Sequence, residues 1–397
     1  MNFRFIINLI HLEMRKVVFV LCLVALLPLR LFAIEFESSF AGVLNLEIER
    51  CNNRTGEAQL VFYLKGLPRH TNKYDDEIIK GLLKSDFHVC VVDYKNNIKA
   101  VSPYINEDVL LLRKLAIELQ NSIQFDIDRV FIIPQGYTIE CNINYYSDSN
   151  KTLAMDVWYP YNKASEVPLI LQASHNGSVR MSNISSLKYT DALIEGLAIE
   201  EFAVAKLDHP SKDNELLPST KIKSAVRVIR HNSTKFNVDK KKIGAFGFSK
   251  GSSAIAFLAF DNDTPTNKNA FYYEEADRIQ AALLMASRFD LFQAYNDPKA
   301  GKALALEKNY GHPEENSEMY AKFSSTSYLT EKTPPIFLSV GALDADRTEQ
   351  VRVLSAKLKE LNVPFIYTEE PFDKHKVTTN PETVKAINNF FKDWLGH

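Results

Sequence analysis

Short apolar runs alternate with amphipathic stretches along most of the chain, a pattern typical of strands that alternate with helices. Between residues 34 and 133, the pattern predicts strands at 59–64, 87–93 and 129–133 and helices at 74–84 and 107–122. The same order recurs with strands at 167–172, 202–208 and 242–246 and helices at 188–197 and 221–231. Because strands joined by helices pair in parallel, both regions predict an α/β fold.

Further strands are predicted on both sides of the second region. The segments 137–146 and 153–159 are joined by turn-forming residues and predict a hairpin. Later apolar runs predict strands at 279–285, 335–340 and 363–368, followed by an amphipathic helix at 381–394. Residues 288–332 lack strong strand signals and are rich in Tyr, Asn and Lys, so we interpret them as an insertion.

The two α/β regions resemble each other locally. Residues 125–128 read Phe-Asp-Ile-Asp and residues 236–239 read Phe-Asn-Val-Asp, in each case shortly before the third strand of the region. A duplication would leave the first copy catalytically silent, because residues 133–137 contain no serine. The alternative is the general likeness of any two α/β units.

The most informative motif is Gly-Phe-Ser-Lys-Gly at residues 247–251, which matches the G-x-S-x-G turn that presents a nucleophilic serine. A predicted strand precedes it, and small apolar residues that open a helix follow it. A serine in such a strained turn needs neighbours without Cβ atoms, which Gly247 and Gly251 provide. The motif therefore predicts Ser249 as a nucleophile, the alternative being an ordinary glycine-containing loop.

A serine hydroxyl needs an imidazole to accept its proton and a carboxylate to orient that imidazole. Asp344 follows a late strand and a glycine, which is where this chain order places the acid, and Asp346 is the alternative. His375 is the only histidine between the last predicted strand and the final helix. His312, in the insertion, is the other candidate base.

Two backbone N–H groups are also needed to stabilise the negative oxygen that develops during acyl transfer. Lys250, which directly follows the serine, is predicted to supply one of them. The second donor should follow an earlier strand, and the strand at 167–172 enters a His-Asn-Gly turn. We therefore expect Asn176 or Gly177 to supply it.

Composition narrows the classes of partner. The 397 residues include 47 basic and 49 acidic ones, so the chain has no excess of positive charge that would favour binding to nucleic acid. No cysteine and histidine spacing typical of a metal site occurs, and we predict neither a metal nor a cofactor. Three cysteines, Cys51, Cys90 and Cys141, follow the N-terminal segment, which allows one disulfide at most. Cys90 lies in a predicted strand and is expected to be a buried thiol.

The N-terminal segment has the pattern of a signal peptide. An apolar run at residues 17–27 follows Arg15 and Lys16, and Ala33 marks a small-residue cleavage site. A segment that begins at Met14 would make a more typical signal. The run is too short to predict a membrane span, so we expect an exported protein, periplasmic or extracellular, without a stable membrane span after cleavage.

With these motifs in this order, the region from about residue 134 to 397 resembles the α/β-hydrolase superfamily. Within it, the chain is most similar to secreted carbohydrate esterases of the acetyl-xylan and feruloyl type, with dienelactone hydrolases and prolyl oligopeptidase catalytic domains as wider relatives. The matching segments are 156–160 (Asp-Val-Trp-Tyr-Pro), 206–208 (Lys-Leu-Asp), 238–239 (Val-Asp), 311–316 (Gly-His-Pro-Glu-Glu-Asn) and 334–335 (Pro-Pro). The resemblance implies ester hydrolysis through an acyl-enzyme without a cofactor, with Ser249 as nucleophile, Asp344 as acid and His375 as base.

The sequence thus predicts three parts: a signal peptide at 1–33, an α/β module at 34–133 that is a candidate degenerate hydrolase half, and an α/β-hydrolase domain at 134–397. The predicted function is a serine esterase that removes acetyl or other short acyl groups from polysaccharides. A non-catalytic binding protein with a hydrolase fold is one alternative. A prolyl-oligopeptidase-like serine peptidase is another, although the repeated short strands of a β-propeller are absent from the sequence.

Overall fold

The computed structural model describes residues 33–38, 42–51, 58–67, 73–94, 105–120, 123–127, 129–148, 152–173, 189–208, 218–261, 271–298, 300–378 and 380–396. The predicted signal peptide lies outside these residues except for Ala33, as do Asn176 and Gly177. The described strands form two separate sheets.

The first sheet has five strands in the order β1-β2-β4-β3-β5. Its strands are β1 (Ala33–Ser38), β2 (Gly42–Glu49), β3 (Gln59–Lys65), β4 (Phe87–Asp93) and β5 (Val130–Pro134). The helices α1 (Asp75–Lys84) and α2 (Ile105–Leu119) connect the last three strands. β3 pairs in parallel with both β4 and β5, as the alternating pattern predicted. The antiparallel hairpin of β1 and β2 was not predicted.

The second sheet has eight strands in the order β13-β12-β11-β10-β8-β9-β7-β6. Its strands are β6 (Tyr137–Ser147), β7 (Thr152–Pro160), β8 (Val167–Ala173), β9 (Ala203–Leu207), β10 (Val238–Phe248), β11 (Ala281–Met285), β12 (Ile336–Gly341) and β13 (Phe365–Glu370). All neighbours from β13 to β9 pair in parallel, whereas β7 is antiparallel to both β9 and β6. Parallel strands end at one edge of the sheet, so residues that follow β10, β12 and β13 are brought to the same side.

Helices cover this sheet. They are α3 (Tyr189–Ile199), α4 (Pro218–His231), α5 (Ser233–Phe236), α6 (Lys250–Phe260), α10 (Ala345–Glu360) and α11 (Pro381–Leu395). Every residue of β8, β11 and β12 is buried, which explains why these strands are nearly continuous apolar runs in the sequence.

The two sheets share a topology. In the first sheet, the hairpin of β1 and β2 pairs antiparallel with β4, and β3 lies between β4 and β5. In the second sheet, the hairpin of β6 and β7 pairs antiparallel with β9, and β8 lies between β9 and β10. The repetition extends over five strands in each sheet, and a duplication of one ancestral unit stays a prediction. Where β10 leads into α6, β5 instead turns directly into β6. The Gln135 side chain at that turn accepts a hydrogen bond from the Gly66 N–H and donates one to Asp75, both at 2.9 Å.

Buried contacts join the sheets. One hydrophobic core contains residues of both, and the rings of Phe131 and Trp158 meet edge to face at 5.6 Å. The Arg129 guanidinium binds the Asp156 carboxylate at 2.6 and 3.2 Å, and Arg113 of α2 binds Glu195 of α3. The boundary predicted after residue 133 falls one residue before the end of β5, and the division of the chain into independent domains stays a prediction.

The predicted insertion is a small helical layer. It consists of α7 (Leu291–Asn296), α8 (Ala303–Tyr310), α9 (Ser317–Phe323) and a 3₁₀ helix (Ser325–Tyr328). Ala294, Leu306 and Tyr320 form a separate small core, and the rings of Tyr295 and Tyr310 pack against Tyr320. These tyrosines therefore serve packing.

Within the part of the chain that the structure describes, no helix combines the length and the apolar character needed to cross a bilayer. In the same residues, Cys51, Cys90 and Cys141 form no disulfide, and burial raises the pKa of the Cys90 thiol well above its usual value. No group of three or more His, Cys, Asp or Glu side chains among the described residues is arranged to hold a metal ion.

Candidate active site

Ser249 lies at the turn between β10 and α6. Its φ of 55° and ψ of −120° are strained for a residue with a side chain, as in a serine that projects from a strand-to-helix turn. The turn is held by a 3.0 Å hydrogen bond from the Ser249 N–H to the Met285 carbonyl of β11. A Cβ at Gly247 would lie 2.3 Å from the Gly251 carbonyl carbon, so the strand and helix can approach this closely only with glycine at residue 247.

Asp344 precedes α10, just after β12 ends. Its N–H donates a 3.0 Å hydrogen bond to the Gly341 carbonyl, which closes a tight turn at the carboxyl edge of the sheet. The Thr348 hydroxyl donates to the carbonyls of both Gly341 and Asp344 at 2.9 Å and ties the turn to the first turn of the helix. The Asp344 side chain is only 8% exposed. Its carboxylate is therefore fixed in place and largely shielded from water.

His375 lies on the loop that follows β13, between the other two side chains. Its Nδ1 is 2.5 Å from Asp344 Oδ2, and its Nε2 is 2.9 Å from Ser249 Oγ. The Phe248 ring, which comes just before the serine, packs against the imidazole with ring centroids 4.8 Å apart. If Nδ1 carries the proton and donates to Asp344, Nε2 is free to accept the proton of the serine hydroxyl. This arrangement is chemically able to activate an alcohol as a nucleophile.

The two alternative side chains lie elsewhere. Asp346 forms ion pairs with Arg288 and Arg347, so Asp344 is the carboxylate that contacts the imidazole. The other candidate base, His312, lies in the helical layer beside Glu314, and its ring meets Tyr295 at 5.7 Å. The geometry thus brings together the three side chains that the chain order singled out.

Gly341 determines how closely the histidine loop approaches the loop that carries the acid. A Cβ at this position would lie 2.3 Å from the Asp373 carbonyl oxygen and 2.5 Å from that of Lys374. Both contacts are with backbone atoms, which cannot rotate away as a flexible side chain can. Any larger residue at 341 would therefore displace the segment that leads to His375.

We expect the substitution Gly341→Ala to lower kcat about tenfold, because a displacement of the histidine loop by about 1 Å disturbs both hydrogen bonds of the imidazole. Steady-state kinetics on a chromogenic ester measures the change. Gly81→Ala is the matched control, since a Cβ at that helical glycine meets nothing within 4 Å. It should leave kcat unchanged and raise Tm slightly. Equal kinetics for the two variants would contradict the role given to Gly341.

One predicted donor of the oxyanion hole lies at the start of a helix. Lys250 is the first residue of α6, where the backbone N–H has no partner within the helix and points outward from its N-terminus. The other predicted donors, Asn176 and Gly177, lie outside the described residues. Lys250 therefore stays a prediction supported by its position, and Asn176 and Gly177 stay predictions.

Several solved structures have a similar fold. A truncated form of a carbohydrate esterase from gut microbiota matches with a TM-score of 0.54 at 20% identity, covering 66% of this chain and 97% of that one. The acetyl ester-xyloside bifunctional hydrolase from Caldicellulosiruptor lactoaceticus gives 0.50 at 20% identity, covering 66% and 97%. Esterase 2 from Thermogutta terrifontis, phosphonylated by sarin, gives 0.52 at 17% identity, covering 64% and 94%. At these identities the likeness concerns the fold.

Sequence comparison adds a curated relative and a family. Endo-1,4-beta-xylanase B from Butyrivibrio fibrisolvens is 27% identical over 180 residues, which cover 45% of this chain and 26% of the relative. The match thus spans about a quarter of that relative's length. The BD-FAE family model matches residues 155–358, just over half of the chain. The protein therefore has the α/β-hydrolase fold that its sequence predicted, and it belongs to the BD-FAE family.

Proposed function

We propose that the protein is a serine esterase that hydrolyses carboxylic esters through a covalent acyl-enzyme. The observation that carries the proposal is the continuous hydrogen-bonded chain from Ser249 Oγ through His375 to the shielded Asp344 carboxylate. Ser249 is the nucleophile, His375 the general base and acid, and Asp344 the group that holds the imidazole in the required tautomer.

The reaction proceeds in two halves. Ser249 Oγ attacks the ester carbonyl carbon while its proton passes to His375 Nε2, and the carbonyl π electrons move to the oxygen. The N–H of Lys250 stabilises that negative oxygen. Collapse of the intermediate breaks the bond to the alcohol, which leaves with the proton from Nε2. Water then attacks the acyl-serine by the same route, and the carboxylic acid and the free serine are released.

The proposed substrates are acetyl or other short acyl esters on polysaccharides. This choice is supported by membership of the BD-FAE family and by similarity to proteins described as a carbohydrate esterase and an acetyl ester-xyloside hydrolase. The signal pattern at the N-terminus supports export to a compartment where polysaccharides are met.

The proposal is tested with p-nitrophenyl acetate, butyrate, octanoate and a longer ester. We expect the mature protein to turn over the acetate, with kcat/KM falling at least about tenfold by the octanoate, since a site for short acyl groups has no room for a longer chain. Acetylated xylan would follow, with released acetate as the readout. Rising kcat/KM with acyl length would exclude the short-acyl assignment.

Covalent labelling separates an enzyme from a binding protein with the same fold. A serine-directed fluorophosphonate should modify Ser249, identified by peptide mapping, and the modification should abolish ester turnover. Ser253, which lies in the first turn of α6 and is partly exposed, is the internal control and should stay unmodified. Absence of both labelling and turnover would favour a non-catalytic binding protein.

A further inference from the structure

A row of alternating charges continues from the site behind Asp344. Asp344 contacts the imidazole through Oδ2, and its other carboxylate oxygen, Oδ1, lies 3.8 Å from Nη1 of Arg347. The Arg347 guanidinium also binds the Asp346 carboxylate, and Asp346 in turn binds Arg288, which follows β11. The row thus begins at the histidine and ends in the loop after β11.

Burial makes these charges matter to one another. The side chains of Asp344 and Asp346 are 8% and 10% exposed, and those of Arg347 and Arg288 are 21% and 25% exposed. Charges shielded from water interact more strongly than surface pairs, and a carboxylate in such a place needs a counter-charge. Arg347, in the first turn of α10, supplies this counter-charge to Asp344.

Arg347 is itself held by its surroundings. Burial, together with the neighbouring charge of Arg288, lowers its pKa, and the carboxylates of Asp346 and Asp344 oppose that decrease. Because the guanidinium is planar and bound on one side by Asp346, its position relative to Asp344 is restricted. A flexible lysine at 347 would carry the charge without this restriction.

We infer that Arg347 is a positioning residue, which holds the Asp344 carboxylate in the orientation that His375 requires while Asp346 and Arg288 hold Arg347. The inference rests on the proposed function, because it assigns Arg347 a task only if His375 accepts the serine proton. Arg347 acts through Asp344 and is given no contact with the substrate.

The charge of Arg347 also has an effect on pH dependence. A positive charge near the imidazole opposes its protonation, and only the unprotonated imidazole can act as the base. Removing that charge should therefore move the loss of activity at low pH toward higher pH. The elements that meet at His375 carry other charged groups, which also affect the protonation of the imidazole. They are Asp373, Lys374 and Lys376 on its own loop, Asp344, Asp346 and Arg347 at the start of α10, Arg288 after β11, and Lys250 at the start of α6.

The test is a pH profile of kcat/KM on p-nitrophenyl acetate for Arg347→Gln, Arg347→Lys and Asp346→Asn. We expect Arg347→Gln to lower kcat about tenfold with KM changed less than about twofold, and to move the acid limb up by about half a pH unit. Arg347→Lys should restore the acid limb but not the full kcat. Asp346→Asn removes a negative charge and should move the limb in the opposite direction.

Arg352→Gln is the matched control, because Arg352 lies on the same helix, is exposed and pairs with Glu369 away from the site. It should match the unmodified protein in kcat and pH profile. If Arg347→Gln lowers Tm and activity but leaves the acid limb unmoved, Arg347 merely supports the helix and the inference is wrong. If fluorophosphonate fails to label Ser249 in the unmodified protein, the proposed function is wrong. That result is independent of the Arg347 variants, so failure of the proposed function and failure of the inference about Arg347 are distinguishable.

Discussion

Replacing Ser249 with alanine is expected to lower kcat by about 10⁵-fold, the largest loss of any single change in this chain. Ser249 Oγ is the only atom removed, and it is the atom that lies 2.9 Å from His375 Nε2. Without it no acyl-enzyme can form, and the residual rate comes from binding and from stabilisation of the negative oxygen alone. Alanine keeps the Cβ, so the backbone at residue 249 carries the same strain as before.

The measurement is steady-state turnover of p-nitrophenyl acetate, with Tm recorded for each variant. Ser253→Ala is the matched control, because it removes an identical hydroxyl close to Ser249. The Ser253 N–H donates a hydrogen bond to the Ser249 carbonyl, which places Ser253 one helical turn further along the chain. That variant should retain full activity. An Ser249→Ala protein with the unmodified rate and an unchanged Tm would exclude Ser249 as the nucleophile and require another catalytic group.

The second largest effect is expected for Asp344→Asn, with a loss of kcat of about 10⁴-fold. The amide that replaces the carboxylate can turn its NH₂ group toward His375 Nδ1, which then accepts a hydrogen bond instead of donating one. In that tautomer Nε2 carries the proton and cannot take another from Ser249. The loss should appear in kcat at the pH optimum, with KM little changed.

Asp346→Asn distinguishes the two carboxylates of this turn. Asp346 binds Arg288 and Arg347, so its neutralisation loosens Arg347 without changing the group that contacts His375. We expect it to retain at least about a tenth of the unmodified kcat. If Asp346→Asn proved the more damaging change, the roles given to the two residues would have to be exchanged.

The sequence was most informative where burial is complete. β8, β11 and β12 are buried along their whole length, and their predicted ends lie within two residues of those observed. β10 begins four residues earlier than predicted, at Val238. Residues 239–242 are charged, are partly or largely exposed and interrupt its apolar pattern, and the pairing register shifts between Val238 and Ile243.

Other elements have a weaker hydrophobic pattern in the sequence. The helix α10 was not predicted, because polar Thr348 and Gln350 occupy buried positions beside its narrow apolar stripe. Val351, Leu354 and Leu358, spaced by three and four residues, were the signal that could have revealed it. The insertion was recognised only as a region without strands, since its helices are short and pack against each other around a small core.

For the site, chain order was sufficient to select the three residues that the structure brings together. Ser249, Asp344 and His375 each follow a parallel strand, and parallel strands end at one edge of the sheet. Arg347 had no such signal. An arginine three residues after an aspartate is common on helices. The ion pair that ties its neighbour Asp346 to Arg288 depends on the packing of α10 against the loop after β11.

The buried ion pairs between the sheets limit how this protein can be shortened. Asp156 and Glu195 have fully buried side chains, and the arginines that neutralise them, Arg129 and Arg113, come from the N-terminal part. Deletion of that part would remove both counter-charges together with surface that buries the two carboxylates, so the remaining sheet would lose both ion pairs and expose apolar residues of the shared core. We therefore expect the eight-stranded sheet to be less stable when it is produced without the five-stranded one.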